Sequence, residues 1–204
     1  MFMTTTAPSL ISVYAGWDSH QLALVRAING LSPEHFAWRP APHLRSVAEL
    51  ICHLATARLY WFYPMGAPGA AALARQVAPW AGEKFNAEDP AELNRWIDAL
   101  SELEGVLIEN PTALRSMLET SWQMIETTLT TWTVADLTQT YRRVRWGDGK
   151  VYVISRQWTV YRILSHDLHH GGELALLLGL QGIDNPDFGE RGGHLTELPL
   201  ADPE

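Results

Sequence analysis

The sequence predicts an all-α protein, a four-helix bundle of the up-down type with a small β-hairpin before the last helix. Apolar residues recur at the spacing of an amphipathic helix over several long segments, some of which begin at a recognisable capping residue. One late segment instead alternates β-branched and aromatic residues around a Gly-Asp-Gly turn. The chain has 204 residues, so we expect a single domain over 1–204, with its core at about 11–183 and an irregular tail at 184–204.

The long helices are predicted from their apolar faces and their start signals. Val13 and Trp17 lie on the apolar face of the first helix. The second helix begins at Ser46, which can form a capping box with Glu49. Proline disfavours the helical conformation of the residue before it, so the segment around Asn110-Pro111 is either one broken helix or two helices. The predicted helical segments are 11–31, 46–64, 90–108, 111–131 and 156–180.

Two segments between these helices have a different character. Residues 139–154 contain TYRRVRW and KVYVI, and Gly147-Asp148-Gly149 between them is a turn signal, so this segment is predicted to be the hairpin. Residues 66–90 are rich in Ala, Gly and Pro and are predicted to be a loop with about one helical turn.

Charge and cysteine content exclude several function classes. The chain has 15 Lys and Arg against 23 Asp and Glu, a formal net charge of −8 without a basic run. Phosphate backbones and anionic lipids repel such a chain, so we expect neither nucleic acid nor a membrane as a partner. The single cysteine, Cys52, excludes an internal disulfide and a Cys-rich zinc module. The N-terminus lacks the pattern of a signal peptide, so we expect a cytoplasmic protein.

The last predicted helix carries the motif S-H-D-L-H-H-G-G-E, which begins at Ser165. Residues four apart on a helix differ in direction by about 40°, so the side chains of His166 and His170 can converge on one point. Imidazole is the commonest metal-binding side chain near neutral pH, although paired histidines also occur on solvated helix faces. His169 is a rival partner for His166, but it points about 100° away from His170.

Neighbouring residues extend this candidate site. Glu173 lies on nearly the same stripe as His170, where it either accepts a hydrogen bond that fixes a histidine tautomer or faces a substrate. Gly171 and Gly172 indicate a close approach by a helix or a ligand. A catalytic ion usually has three protein ligands, and His53 on the mainly apolar face of the second helix is the candidate for the third. The alternative for His53 is a hydrogen-bonded core histidine.

Three stretches of the chain resemble one known family. Residues 16–61 have a leading Trp, a turn from Leu-Ser to Arg-Pro, and a Ser-started helix with a central His. Residues 133–137 form a Thr-x-x-Asp-Leu turn before the hairpin, and residues 160–183 contain the closing H-x-x-x-H helix. Together the three stretches cover most of residues 12–183. Their sequence, order and spacing resemble the DinB-like superfamily, which includes the YfiT and mycothiol-dependent-enzyme helical bundles.

This resemblance implies a DinB/YfiT-like four-helix bundle that holds a divalent metal. Carried over by position, the ligands are His53 on the second helix and His166 and His170 on the last. Many relatives have Gln where this chain has Glu173, and a carboxylate so near the ion can change the metal or the substrate. Characterised relatives use low-molecular-weight thiols, which implies a thiol as co-substrate here.

Three further side chains near the candidate site have either a chemical or a structural role. Glu173 and His20 are candidates for orienting ligands, while a hydrogen-bonded core position is the alternative for His20. Cys52 points about 100° away from His53 on the helix, which favours a buried apolar residue over a catalytic thiol.

Aromatic and basic residues near the candidate site also have two interpretations. Tyr60 and Trp61 lie about one to two helical turns beyond the central histidine of the second helix and either line a pocket or belong to the aromatic core, and the second is favoured. Arg142, Arg143 and Arg145 in the hairpin either bind an anionic substrate or occupy solvated strand positions, and the second is favoured.

The leading hypothesis is a metal-dependent enzyme, a thiol S-transferase or a related thiol-dependent enzyme acting on a small-molecule substrate. Imidazole ligands suit Zn, Ni and Fe alike, so the identity of the metal stays open. The alternative is a non-catalytic metal-binding stress or interaction protein of the same fold. A homodimer is expected because bundles of this family often pair and the tryptophan content suits an apolar interface.

Overall fold

The computed structural model describes residues 9–81, 85–145 and 147–189, and this part of the chain is helical apart from one hairpin, as predicted. The helices are α1 (Trp17–Ile28), α2 (Pro33–Ala37), α3 (Val47–Phe62), α4 (Ala70–Val77), α5 (Pro90–Ile108), α6 (Pro111–Thr131), α7 (Val134–Leu137), α8 (Arg156–Leu180) and α9 (Pro186–Gly189). The strands are β1 (Thr140–Val144) and β2 (Val151–Ser155). In the described part of the chain, no helix combines the length and apolar character needed to cross a membrane.

Four helices, α1, α3, α6 and α8, form the bundle. Helix α3 packs against α6 and α8, and α1 packs against the same two helices, while α5 adds to the bundle by packing against α3 and α6. Leu24, Leu54, Ile125 and Leu174, one from each bundle helix, are fully buried. Burying a side chain of this size contributes about 1.5–3 kcal/mol, so these apolar faces hold the four helices together.

Helix α1 begins at Trp17 instead of the predicted residue 11. Gly16 has a φ of +98°, a left-handed conformation that interrupts the helix. The preceding residues form a separate turn, Leu10–Ser12, whose first backbone N–H donates to the carbonyl of Trp132 at 3.0 Å. Val13 is 56% exposed as a result, although helical spacing had placed it on the apolar face.

Helices α5 and α6 have the predicted bounds, whereas the stretch before them is more helical than predicted. Two separate helices meet at Asn110, whose side-chain oxygen accepts a hydrogen bond from the Ala113 N–H at 3.1 Å. The stretch 66–90 contains the eight-residue helix α4 instead of about one turn. Ala70, Leu73 and Ala74 are buried, and this packing keeps an alanine-rich segment helical.

The hairpin leads directly into α8. Strands β1 and β2 are antiparallel, with Thr140 opposite Ser155 and Val144 opposite Val151. Ser155 then caps α8 by accepting a hydrogen bond from the Trp158 N–H at 3.1 Å. The hairpin is therefore fixed at the start of the helix that carries the predicted histidine pair.

The predicted irregular tail is described only in part. Its first residues include the short helix α9, and residues 190–204 lie outside the described part of the chain. The single-domain assignment over 1–204 stays a prediction.

Candidate metal centre

Three imidazole rings from two helices meet at one point. His53 lies in the middle of α3, while His166 and His170 lie one turn apart on α8. Nε2 of His166 is 3.1 Å from Nε2 of His53 and 3.1 Å from Nε2 of His170. One ligand atom from each ring lies within 4.8 Å of the other two. The packing of α3 on α8 thus brings together all three histidines that were predicted as metal ligands.

These separations fit a metal-binding site. Zn–N bonds of about 2.0–2.1 Å in a tetrahedral site place neighbouring nitrogens about 3.3 Å apart. The observed 3.1 Å separations lie close to this value. Three protein nitrogens leave the fourth position of a tetrahedral ion open, which is the pattern of catalytic rather than structural sites.

Burial keeps the three rings neutral. It lowers the pKa of His53 to about 4, and the positive charge of Arg45 acts in the same direction. It lowers the pKa of His166 to about 3, and it also lowers the pKa of His170 although Glu173 opposes the change. Three ring nitrogens therefore converge without a strong tendency to take up protons, and a metal cation satisfies such a set of acceptors.

Glu173 holds one of these rings. The Nδ1–H of His170 donates to Oε2 of Glu173 at 2.6 Å, which leaves Nε2 of His170 with its lone pair toward the other rings. Glu173 also lies 3.2 Å from Nε2 of His169, whose side chain is 67% exposed. His169, His170 and Glu173 form a second group with ligand atoms within 4.8 Å. This more exposed group shares two residues with the histidine centre, so the two groups do not make independent sites.

A buried ion pair lies directly beside the histidines. Asp167, adjacent to His166 in sequence, is fully buried and contacts the guanidinium of Arg58 on α3 at 2.8 Å. The indole N–H of Trp17 on α1 donates to the same carboxylate at 2.8 Å. Arg58 also donates to the carbonyl of Leu118 on α6 at 3.2 Å, so one network joins all four bundle helices.

Sequence reasoning had not singled out Arg58 or Asp167 as functional residues. Arg58 follows Ile51 and Leu54 at helical spacing on the apolar face of α3, and this position was the available signal.

The three histidines line a cavity of about 1120 Å³. Its walls come from α3, α5, α8 and the hairpin. Because α3 and α8 run in opposite directions, the cavity follows them from the histidines to Trp61 and Trp158, whose ring centroids are 5.5 Å apart. Tyr60 and Trp61 pack partly buried against the core, which was the favoured position, and they also line this cavity.

The expectation that all three hairpin arginines occupy solvated positions is wrong for Arg143. Arg142 is exposed and pairs with Glu88 at 2.8 Å, and Arg145 is exposed as well. Arg143 points the other way, is only 2% exposed and lines the cavity. Alternation along β1 places Arg143 on the same side as Tyr141, and this period-two signal was present in the sequence.

Two other candidates lie in core environments. Nε2 of His20 lies 3.0 Å from the backbone oxygen of Asp167, and its ring packs against Phe188 at 5.5 Å. This is the hydrogen-bonded core position that was the alternative for His20, and its catalytic candidacy stays a prediction. Cys52 is buried, its Sγ lies 3.8 Å from the carbonyl oxygen of Glu104, and burial raises its pKa to about 12.

One of the comparisons with known proteins, that with family models, identifies a family for this chain. The family model of the DinB superfamily matches residues 17–174. The crystal structure of a DinB-like protein from Bacillus cereus is similar with a TM-score of 0.50 at 15% identity, covering 89% of this chain and 98% of that chain. That of a DinB-like protein from Bacillus subtilis has a TM-score of 0.47 at 16% identity, covering 93% of this chain and 96% of that chain. The comparison with curated proteins gave no match.

Proposed function

This chain belongs to the DinB superfamily, and from that premise we propose that it binds a divalent metal ion for thiol-dependent chemistry, as a metal-dependent thiol S-transferase or a related enzyme. The observation that carries the proposal is the convergence of three neutral Nε2 atoms, His53, His166 and His170, beside a large cavity. Family membership supports a metal at this place, and the cavity supports a small-molecule substrate.

In this proposal the three histidines bind the ion and Glu173 orients one of them. Three neutral imidazoles hold the ion without reducing its charge, and Glu173 fixes the tautomer of His170. A divalent ion bound there lowers the pKa of a thiol or water in its open position, which makes a nucleophile available at neutral pH.

The reactive thiol comes from a co-substrate in this proposal. The chain contains one cysteine, Cys52, and burial raises its pKa to about 12, so little of it is thiolate at neutral pH. Its sulfur atom also lies 3.8 Å from a backbone carbonyl of α5, which makes it a buried packing residue.

Elemental analysis and a thiol-transfer assay test the proposal together. Tag-free protein is expected to bind about one equivalent of Zn, Ni or Fe, and His53→Ala and His170→Ala are expected to lose it. His43→Ala is the control, because His43 is an exposed histidine outside both groups of candidate ligands. Transfer of a small thiol to monochlorobimane is expected only with metal-loaded protein.

Each outcome has a distinct meaning. Metal binding without turnover across a panel of small thiols would favour the non-catalytic metal-binding protein. Wild-type protein that takes up no divalent ion would overturn both the enzyme and the metal-binding interpretation.

A further inference from the structure

We propose that the cavity binds a small molecule through an anionic group, a carboxylate or a phosphate, which pairs with Arg143 while the other end of the molecule reaches the three histidines. This inference rests on the proposed function and deepens it by naming the class of substrate. It concerns the end of the cavity lined by Tyr60, Trp61 and Arg143.

Among the described residues, Arg143 is a buried cation without an anionic partner. It is 2% exposed, and no carboxylate of the described residues lies within 4.0 Å of its guanidinium. Its Nη1 is buried and has no hydrogen-bond partner among the described residues, while Nε donates to the carbonyl oxygen of Val144 at 3.4 Å. A buried charge without a counterion is costly, and a ligand that brings the missing negative charge removes this cost.

Aromatic rings hold the guanidinium in place. Arg143 lies over the rings of Trp61 and Tyr60, with centroid distances of 4.2 Å and 4.6 Å. The hydroxyl of Tyr141 interacts with the same side chain. Cation–π contacts compensate only part of the lost hydration and leave Nη1 of Arg143 without a hydrogen-bond partner among the described residues.

The charges around the cavity favour the same kind of ligand. Its lining contains four arginines, Arg45, Arg143, Arg145 and Arg162, although the whole chain has a net charge of −8. Glu104 is the one carboxylate among the lining residues of the described chain, and it accepts a hydrogen bond from the Thr56 hydroxyl at 2.5 Å. Such a local excess of positive charge attracts anions into the cavity.

The helix geometry gives the length of the ligand. Trp61, against which Arg143 packs, lies eight residues after His53 on α3, which corresponds to about 12 Å along the helix axis. On α8, Arg162 lies one turn before His166 and contacts the ring of Trp61 at 4.9 Å. A molecule with its anionic group roughly 10 Å from its thiol or other reacting group can therefore span the two sites.

Isothermal titration with matched thiols tests this inference. The probes are 8-mercaptooctanoate, its uncharged alcohol counterpart 8-mercaptooctanol, and 8-mercaptooctyl phosphate, each added to zinc-loaded and to chelator-treated protein. We expect an anionic probe to bind wild-type protein roughly 10–100-fold more tightly than the alcohol, the range of a charge-assisted hydrogen-bonded pair. The carboxylate and phosphate probes show which anion the site prefers.

Variants of the hairpin assign the preference to one residue. Arg143→Met is expected to remove the preference for an anion, and Arg143→Lys to retain part of it. Arg142→Met is the matched control, because Arg142 is the adjacent exposed arginine and pairs with Glu88. Thermal unfolding separates ligand binding from a structural role: without ligand, Arg143→Met is expected to be no less stable than wild type, since it removes an uncompensated buried charge.

The results distinguish this inference from the proposed function. An anion preference that survives in Arg143→Met, or that is missing in wild type, overturns the inference while zinc binding is unaffected. An anion preference that disappears on chelator treatment also overturns it, because the anion is then a ligand of the metal. A protein that binds no zinc but keeps an Arg143-dependent preference supports the inference and overturns the metal-dependent function.

Discussion

Among the three histidines, Glu173 forms a hydrogen bond with His170, and this contact defines what its removal should do. Its carboxylate accepts the His170 Nδ1–H at 2.6 Å and orients that ring. Loss of such a partner typically lowers metal affinity by about 10–100-fold. We therefore expect Glu173→Ala to weaken zinc binding within this range in a competition titration with a chromophoric chelator.

Two further variants make this measurement specific. Glu173→Gln retains an acceptor oxygen and is expected to lose less affinity than Glu173→Ala. Glu126→Ala removes an exposed carboxylate from α6 and is expected to bind zinc as wild type does. Unchanged affinity in Glu173→Ala would show that the hydrogen bond to His170 does not support the site.

The three histidines also set a pH dependence for the metal-free protein. The pKa is about 4 for His53 and about 3 for His166 in the folded chain, against an ordinary value of 6.5. Between these values the unfolded chain binds more protons than the folded chain, so the free energy of unfolding decreases as the pH falls below about 6.5. Urea unfolding at a series of pH values is expected to show this decrease.

The double variant His53→Asn, His166→Asn provides the control for this titration. It removes two of the three imidazoles, so the free energy of unfolding is expected to change less with pH between about pH 6.5 and pH 4. An equal slope in the variant and the wild type would assign the effect to other groups.

At the scale of elements, the buried pair of Arg58 and Asp167 fastens α8 to α3. Both side chains are fully buried and lie 2.8 Å apart. Breaking a buried pair by neutralising one partner typically costs about 3–5 kcal/mol, because the other charge stays buried without compensation. We expect a loss of this size for Asp167→Asn in urea unfolding. Arg142→Ala breaks the exposed pair with Glu88 and is expected to cost less than about 1 kcal/mol.

Two adjacent glycines in α8 are expected to respond oppositely to the same substitution. A Cβ on Gly171 would lie 2.5 Å from Cε1 of His20, whose ring is buried between α1 and α8. Gly171→Ala is therefore expected to cost about 1–3 kcal/mol through overpacking. A Cβ on Gly172 would have no atom of the described residues within 4 Å. Gly172→Ala is therefore expected to raise the free energy of unfolding by up to about 1 kcal/mol, because alanine has the higher helix propensity. Thermal unfolding of both variants compares them, and equal effects would contradict the close approach.

At the scale of the whole molecule, the homodimer expected from the sequence stays a prediction. Tyr161, Leu168, Leu176 and Leu180 lie along one side of α8 and are between 41% and 65% exposed. We propose that a second copy covers this stripe.

Light scattering during size exclusion is expected to show a dimer for wild type and a monomer for Leu176→Glu, while Val106→Glu on α5 leaves the dimer intact. A monomeric wild type would make the prediction wrong.

Local sequence signals predicted much of this molecule and missed what tertiary packing decides. Capping residues and apolar spacing predicted the order of the long helices and the hairpin, and the spacing of His166 and His170 predicted that these two side chains converge on α8. The start of α1 was missed because the apolar spacing continues across Gly16, whose positive φ is not visible in it. The contact of Arg58 with Asp167 joins residues 109 positions apart, so no local pattern contains it.

An ion held where α3 meets α8 would link two segments that are far apart in the sequence. His53 and His166 are 113 positions apart, and closing a loop of that length in an unfolded chain costs roughly 4–5 kcal/mol of entropy at room temperature. The folded bundle has already closed this loop. A bound ion would therefore serve as a removable crosslink in a protein whose single cysteine cannot form one, and a chelator would act on it much as a reductant acts on a disulfide-bonded domain.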